Sequence, residues 1–309
     1  MQTSMKYIII CGPTCSGKTT LGIKLAFRYN GELVGADSRQ IYKHINIGTA
    51  KPTPDEYKKI KYHLIDFLEL TEEFSAYEYA NLARNMIDAI TKRGKVPIVV
   101  GGTGLYLKAL TEGLFESPKP DYRYREKLEK ICEEKGSEFL HKELAEIDPE
   151  SASKIKPTDK VRLVRALEVY KLTGKPISEL QKKGVYKKND GPLWLALAPP
   201  RKTLYENINK RVDEMFVRGF EREVVDLKPY IETLRKKKVL GYSDMIEYLF
   251  DKTITRQQAI DKIKQRHRNY AKRQMTWFRK LPDLRWFDPF GKGYLDKVYG
   301  ICDEYLKKA

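Results

Sequence analysis

GPTCSGKT, residues 12–19, is the stretch that decides the fold. It sets Gly12, Gly17, Lys18 and Thr19 at every fixed position of the pattern G-x-x-x-x-G-K-[ST], with Pro13, Thr14, Cys15 and Ser16 between the glycines. The run before it, Lys6-Tyr-Ile-Ile-Ile-Cys11, reads as a short buried strand, and the run after it puts Leu21, Ile23, Leu25 and Ala26 at helical spacing. Strand, loop, helix is the context in which this pattern binds phosphate. The glycines let backbone N–H groups turn toward an anion at a helix N-terminus, whose dipole favours negative charge. Lys18 can reach the outer phosphoryl oxygens, and the Thr19 hydroxyl can hold Mg²⁺. Nucleotides and other diphosphates present similar oxygens, so the loop alone leaves its ligand open.

Working outward, strand and helix alternate over the first ~115 residues. Glu32-Leu-Val-Gly-Ala36 reads as a second strand ending at Asp37, and His63-Leu-Ile-Asp-Phe67 as a weaker third. Residues 76–93 have helical periodicity, and Val96-Pro-Ile-Val-Val100 is an apolar strand running into Gly101-Gly-Thr-Gly104. In a parallel sheet ligands bind at the carboxyl ends of the strands, where the phosphate loop, Asp37 and Gly101–Gly104 all fall. An Asp in that place is either a neighbour of Mg²⁺ or a general base beside the bound phosphate.

The alternation stops at Ser117-Pro-Lys-Pro120. Helical patterns then cover 123–135, 137–147, 159–172 and 177–183, followed by a linker at 187–192 and a buried strand, Leu193-Trp-Leu-Ala-Leu-Ala198. Residues 201–309 read as mostly helical. The expected fold is therefore α/β, a P-loop NTPase-like parallel sheet flanked by helices, with an all-helical insertion domain. The discontinuous core is expected over 1–116 and 193–309, and the insertion over 117–192.

Lys and Arg number 59 against 42 Asp and Glu, a net charge of +17, which points to a polyanionic partner. The densest basic segment runs from Arg256 to Lys280. On a helix, Ile260, Ile263, Ala271, Met275 and Phe278 form a stripe that docks on the core, while Lys262, Arg266, Arg273 and Lys280 point away, available to a nucleic-acid backbone; Arg273, like Arg162 and Arg165, is expected outside the loop crevice. Arg162 and Arg165, three apart, share a helix face and read equally as a solvated surface or a phosphate contact. No apolar run approaches the ~18–20 residues that span a bilayer, and no signal-peptide core is present, so a cytoplasmic protein is expected. Cys11, Cys15, Cys132 and Cys302 form no C-x-x-C pair, and the four histidines form no H-E-x-x-H. No strand ends in the acidic pair of a hydrolytic ATPase, and nothing implies a protein partner. A phosphate loop without that apparatus, but with a nucleic-acid face, points to group transfer onto RNA or DNA.

GPTCSGKT, DSRQ at 37–40, IGTAKP at 47–52, GGTGLYLKAL at 101–110, RLVRALEVYKLTGKPIS at 162–178 and YAKRQMTWFRK at 270–280 occur in a fixed order. In these motifs, and from residue 7 to about 287, the chain resembles the bacterial tRNA isopentenyltransferase (tRNA dimethylallyltransferase) family. The resemblance implies transfer of a dimethylallyl group from dimethylallyl diphosphate to N6 of the adenine 3′-adjacent to the anticodon, in tRNAs reading codons that begin with U. It implies that the N–H groups of 14–19, Lys18 and Mg²⁺ on Thr19 neutralise the departing diphosphate, with Arg211 covering it. Asp37 matches the family's general base. Asp37, Ser38, Arg39 and Gln40 lie in the motif that contacts the target base and its neighbours. Thr103, Arg125, Arg162, Arg165 and Arg273 match tRNA contacts, with the insertion gripping the anticodon stem-loop. The alternatives are an adenylate isopentenyltransferase acting on free AMP-type acceptors, or a P-loop nucleotide kinase; neither needs the insertion or the basic helix.

Overall fold

The computed structural model describes residues 6–53, 60–183 and 191–307. Six strands, β1 (Ile8–Cys11), β2 (Gly31–Gly35), β3 (Tyr62–His63), β4 (Val96–Gly101), β5 (Leu193–Leu197) and β6 (Arg285–Phe287), form one sheet in the order β3-β2-β4-β1-β5-β6. Every pairing is parallel. Helices α1 (Lys18–Arg28), α2 (Ala76–Lys92) and α3 (Gly104–Glu112) accompany the first strands. The middle of the chain is helical: α4 (Tyr122–Lys135), α5 (Ser137–Ile147), α6 (Pro149–Lys154), α7 (Lys160–Thr173) and α8 (Ile177–Lys183). After β5 come α9 (Arg201–Val217), α10 (Phe220–Asp226), α11 (Ile231–Lys237), α12 (Tyr242–Leu249), α13 (Arg256–Phe278) and α14 (Tyr294–Lys307).

β1 is fully buried and central, with Ile8 opposite Ile98 on one side and Leu193 on the other. Helices cover both faces, which is why the strand reads as an unbroken apolar run rather than an alternation. Ile8, Ile10, Leu33 and Ile98 pack on Leu21 and Leu25 of α1 and on Val298 and Cys302 of α14. Ile9, Val34 and Val99 pack on Tyr79, Ala83 and Ile87 of α2, Leu107 of α3 and Phe278 of α13. Each fully buried Ile, Leu, Val or Phe among them contributes about 1.5–3 kcal/mol. Reciprocal capping starts α2 and α13: Ser75 Oγ accepts the Glu78 N–H while Glu78 accepts the Ser75 N–H, and Thr255 and Gln258 repeat the device.

The chain divides into two compact units, Met1–Thr111 with Lys188–Ala309, and Glu112–Lys187. The sequence placed these breaks at 116/117 and 192/193, and most of the expected linker at 187–192 lies outside the described residues. The smaller unit packs Leu128, Cys132, Leu140, Leu144, Leu163 and Leu167 into its own core. Its charged centre is Glu168, fully buried, which accepts Arg125 Nε at 2.8 Å, Arg125 Nη2 at 2.9 Å and the Asp121 N–H at 2.7 Å, besides Arg165 Nη1.

Two local expectations change. The third strand, read as 63–67, stops after His63. Leu64 and Asp66 take left-handed backbone (φ 55 and 56), and the chain turns across Gly35, where a Cβ would stand 2.9 Å from the Leu64 carbonyl. The C-terminal region also contributes β6, three mostly exposed residues too short to show a period.

Candidate active site

A cavity of about 440 Å³ opens at the carboxyl ends of β1, β2 and β4, within the larger unit. Residues 14–19, Asp37 to Gln40, Gly101, Gly102 and Arg211 contribute to its wall. α13 closes it with His267, Tyr270, Arg273 and Gln274.

The loop has the backbone its pattern requires. Gly17 sits in left-handed conformation (φ 82) directly before α1, and Cys15 also has positive φ (60). Lys18 Nζ donates to the Pro13 carbonyl at 2.5 Å. Burial pulls its pKa down to about 8, while Asp37 opposes and Arg211 adds to the fall. A charged amine held this way is primed to accept an anion. The Ser16 hydroxyl is buried with no hydrogen-bond partner among the described residues, a donor waiting inside an anion-shaped loop. The first N–H groups of α1 have no acceptor within their own helix.

Arg211 reaches the loop from α9. Its Nη1 donates to Thr14 Oγ1 at 2.6 Å and lies 3.6 Å from Cys15 Sγ, while its Nε is buried without an acceptor among the described residues. Asp37 Oδ1 accepts the N–H groups of Arg39 at 2.9 Å and Gln40 at 3.3 Å. Asp37 thus also caps its own turn, which occupies one oxygen. Among the described residues no hydrogen bond engages Oδ2.

The neighbouring motifs mostly build the scaffold. Gln40 donates its amide to the carbonyls of Thr49 and Ala50, both at 3.0 Å. Glu223 of α10 accepts the N–H groups of Asn46, Ile47 and Gly48. IGTAKP is thus a pinned loop. Thr103 Oγ1 accepts the Ser38 N–H at 2.9 Å, so it fixes the segment beside Asp37.

The basic residues divide. Arg162 is exposed, its side chain 70% accessible, beside Asp159 at 3.4 Å. Arg165 and Arg125 are tied to Glu168, and Arg165 Nη2 also donates to Ser117 Oγ and, at 2.8 Å, to the Pro118 carbonyl. On α13, Lys262 pairs with Glu247 at 2.8 Å and Arg266 with buried Asp244 at 3.0 Å. Arg273 corrects the sequence reading: it lines the cavity with the phosphate loop rather than lying outside the crevice. The helix turns it there because Gln274, its neighbour, is the residue that docks, and Met275 is only half-buried.

The family model for IPP transferase matches residues 40–281. The chain belongs to the IPP transferase family. It is 44% identical over 290 residues to the tRNA dimethylallyltransferase of Caldanaerobacter subterraneus and 45% identical over 290 residues to that of Koribacter versatilis, covering 92% of each chain in both cases. Among solved structures it is similar to the tRNA isopentenylpyrophosphate transferase of Bacillus halodurans, at 36% identity and a TM-score of 0.70, over 99% of this chain and 98% of that one. It is also similar to a eukaryotic dimethylallyltransferase acting on tRNA, at 30% identity and a TM-score of 0.81, over 99% of this chain and 80% of that one.

For an IPP transferase site, the sequence missed the side of the cavity built by α13. His267 and Gln274 break the apolar stripe, and both are buried. His267 Nδ1 bonds the Ile263 carbonyl at 2.9 Å, and burial, then Arg211, lower its pKa to about 4, so it is neutral. Burial, then the Asp37 carboxylate, push the Tyr270 phenol up to about 12, against Arg39 and Arg273. The signal was available: polar residues recurring at core spacing in a helix are there to meet polar partners. Among the described residues no helix is long and apolar enough to cross a membrane.

Proposed function

We propose that this protein transfers a dimethylallyl group from dimethylallyl diphosphate to N6 of the adenine 3′-adjacent to the anticodon, in tRNAs reading codons that begin with U. One observation carries the reading: the phosphate loop, Asp37 and the basic helix α13 line a single cavity. The family membership supports the same chemistry.

The adenine amine is a weak nucleophile, so the barrier lies in expelling the diphosphate. N6 attacks C1 of the allyl group, the C1–O bond breaks, and its electron pair leaves on the diphosphate. Lys18, the loop N–H groups and Arg211 offset the growing negative charge, in the manner of an oxyanion hole. The N6 proton passes to Asp37, whose Oδ2 is the free oxygen. Thr19 and Asp37 both bring oxygen donors to the cavity, the type a hard divalent cation takes. Among the described residues no cluster of three His, Cys, Asp or Glu could hold a metal ion, and Thr19 is the residue that would hold Mg²⁺. Held there, Mg²⁺ would supply further neutralisation of the leaving group.

An adenine in an anticodon loop is stacked and must be turned out to reach such a cavity. Tyr270, Arg39 and Arg273 stand beside Asp37 to receive it. On the larger unit, Asp37 to Gln40, Thr103 and Arg273 are the proposed tRNA contacts; on the helical unit, Arg162, Arg125 and Arg165 are the proposed contacts, and that unit grips the anticodon stem. The reading places the protein in the cytoplasm with its substrate. Incubation with Mg²⁺, radiolabelled dimethylallyl diphosphate, bulk tRNA and AMP tests it. Label is expected in tRNA; label in AMP, or none in either acceptor, overturns the assignment.

A further inference from the structure

The function proposed above needs Arg211 and the phosphate loop to hold one arrangement over the diphosphate. We propose that Gln274 is the positioning residue that sets it: its amide clamps the front of the loop to the turn after β4, and through Thr14 it fixes the Arg211 guanidinium.

The contacts form a chain. Gln274 is 6% exposed. Its Oε1 accepts the Thr14 N–H at 2.9 Å and its Nε2 donates to the Gly102 carbonyl at 3.0 Å. Thr14 Oγ1 in turn accepts Arg211 Nη1 at 2.6 Å. Reversing the amide would set oxygen against carbonyl and nitrogen against N–H, so the network itself fixes its orientation. A buried position on α13 is served more cheaply by an apolar side chain, because a polar group removed from water costs free energy unless fully bonded. Only an amide of this length accepts from one loop and donates to the other. Glutamate lacks the donor, and leucine or methionine lacks both functions.

Gly102 gives independent support. A Cβ there would stand 2.3 Å from Gln274 Nε2, so the second glycine of the Gly101–Gly104 motif makes room for the clamp. The loop is divided by it. Thr14 spends its N–H on Gln274 and serves as the anchor, while residues 15–19 with the unpartnered Ser16 hydroxyl face the anion. Arg273, one residue earlier on the helix, lines the same cavity. α13 therefore supplies both a wall of the acceptor pocket and the brace for the leaving-group pocket.

The test uses the full chain and two readouts. Calorimetry with inorganic pyrophosphate and Mg²⁺ measures the anion site without catalysis, and steady-state kinetics separates the substrates. Gln274→Met removes both hydrogen bonds of the clamp and should raise the Kd for pyrophosphate and the KM for dimethylallyl diphosphate about tenfold. The KM for tRNA should stay within about twofold, since the RNA-facing side chains are untouched. Because the clamp acts through Arg211, adding Gln274→Met to Arg211→Ala should weaken pyrophosphate binding by less than about twofold more. Thr14→Val, which keeps the backbone and removes the Arg211 acceptor, should reproduce the defect and stands in if Gln274→Met does not fold. Unchanged pyrophosphate affinity in either variant, or fully multiplicative losses in the double variant, overturns the proposal. A wild-type protein that binds pyrophosphate but prenylates no tRNA would remove the functional reading and leave the clamp to be judged by calorimetry alone.

Discussion

Acidification should destabilise this protein through His267, and the size of the effect follows from its burial. The imidazole is 4% exposed and neutral, with a pKa lowered from 6.5 to about 4, first by burial and then by Arg211. In the unfolded chain it titrates at its ordinary value. Between these two values the unfolded state binds more protons, so the contribution is complete above pH 6.5 and is lost as pH falls toward 4. About 2.5 units at ~1.36 kcal/mol each gives about 3 kcal/mol. Asp244 works in the opposite direction. Fully buried, it is raised to about 6 by burial, with Arg266 opposing. Its native carboxyl holds a proton that the unfolded chain releases, so it returns about 2–3 kcal/mol as pH falls from 7 to 4. The two slopes nearly cancel in the parent protein and separate in variants. Urea unfolding of the parent, His267→Gln and Asp244→Asn, each from pH 7.5 down to 4, reads them out. The stability of His267→Gln relative to the parent should rise by about 3 kcal/mol toward pH 4, and that of Asp244→Asn should fall. A pH-independent difference for His267→Gln would show an imidazole that titrates normally in the native state and refute the buried-wall account of α13.

Asp37→Asn should lower the transfer rate by about 10²–10⁴ in single-turnover assays with labelled diphosphate, while tRNA affinity by gel shift stays within twofold. Arg211→Ala should raise the KM for dimethylallyl diphosphate and leave the dependence of tRNA binding on salt unchanged. Arg273→Ala should change both, because it lines the cavity, whereas Arg162→Ala should only reduce the slope of log K against log salt, by about one unit; salt-titrated tRNA binding and kinetics on the pair separate them. Glu168→Gln should cost the helical unit about 3–5 kcal/mol in denaturant melts, because it leaves Arg125 and Arg165 without their buried carboxylate.

Local chemistry made much of this protein legible before any fold was in hand. The apolar runs at 8–11, 96–100 and 193–197 are strands because a doubly covered parallel sheet wants unbroken Ile, Val and Leu. The phosphate loop carries its own context, a strand before it and a helix after it. Asp37 followed directly from the end of β2. The third strand was misread because Leu64 and Asp66 take positive φ to turn over Gly35, a constraint imposed by a neighbouring strand rather than by their own preferences. β6 escaped because three residues are held by pairing with β5 and not by a pattern of their own.

The sequence by itself determined which backbone could bind an anion, since glycine spacing and a helix start are local properties. It determined too that a helix at 256–278 would be basic. Only the tertiary structure decided which basic side chains are already paired. Arg125 and Arg165, read as RNA contacts in the chain, are also held by the buried Glu168, and Arg266 meets Asp244, because burying a carboxylate requires cations brought from elsewhere. It decided that Arg211 of α9 reaches Thr14 across 197 residues, and Gln274 of α13 across 260. Such pairings have no local signature. They arise where elements packed for apolar reasons bring polar groups within hydrogen-bond range, and there the loop becomes a site.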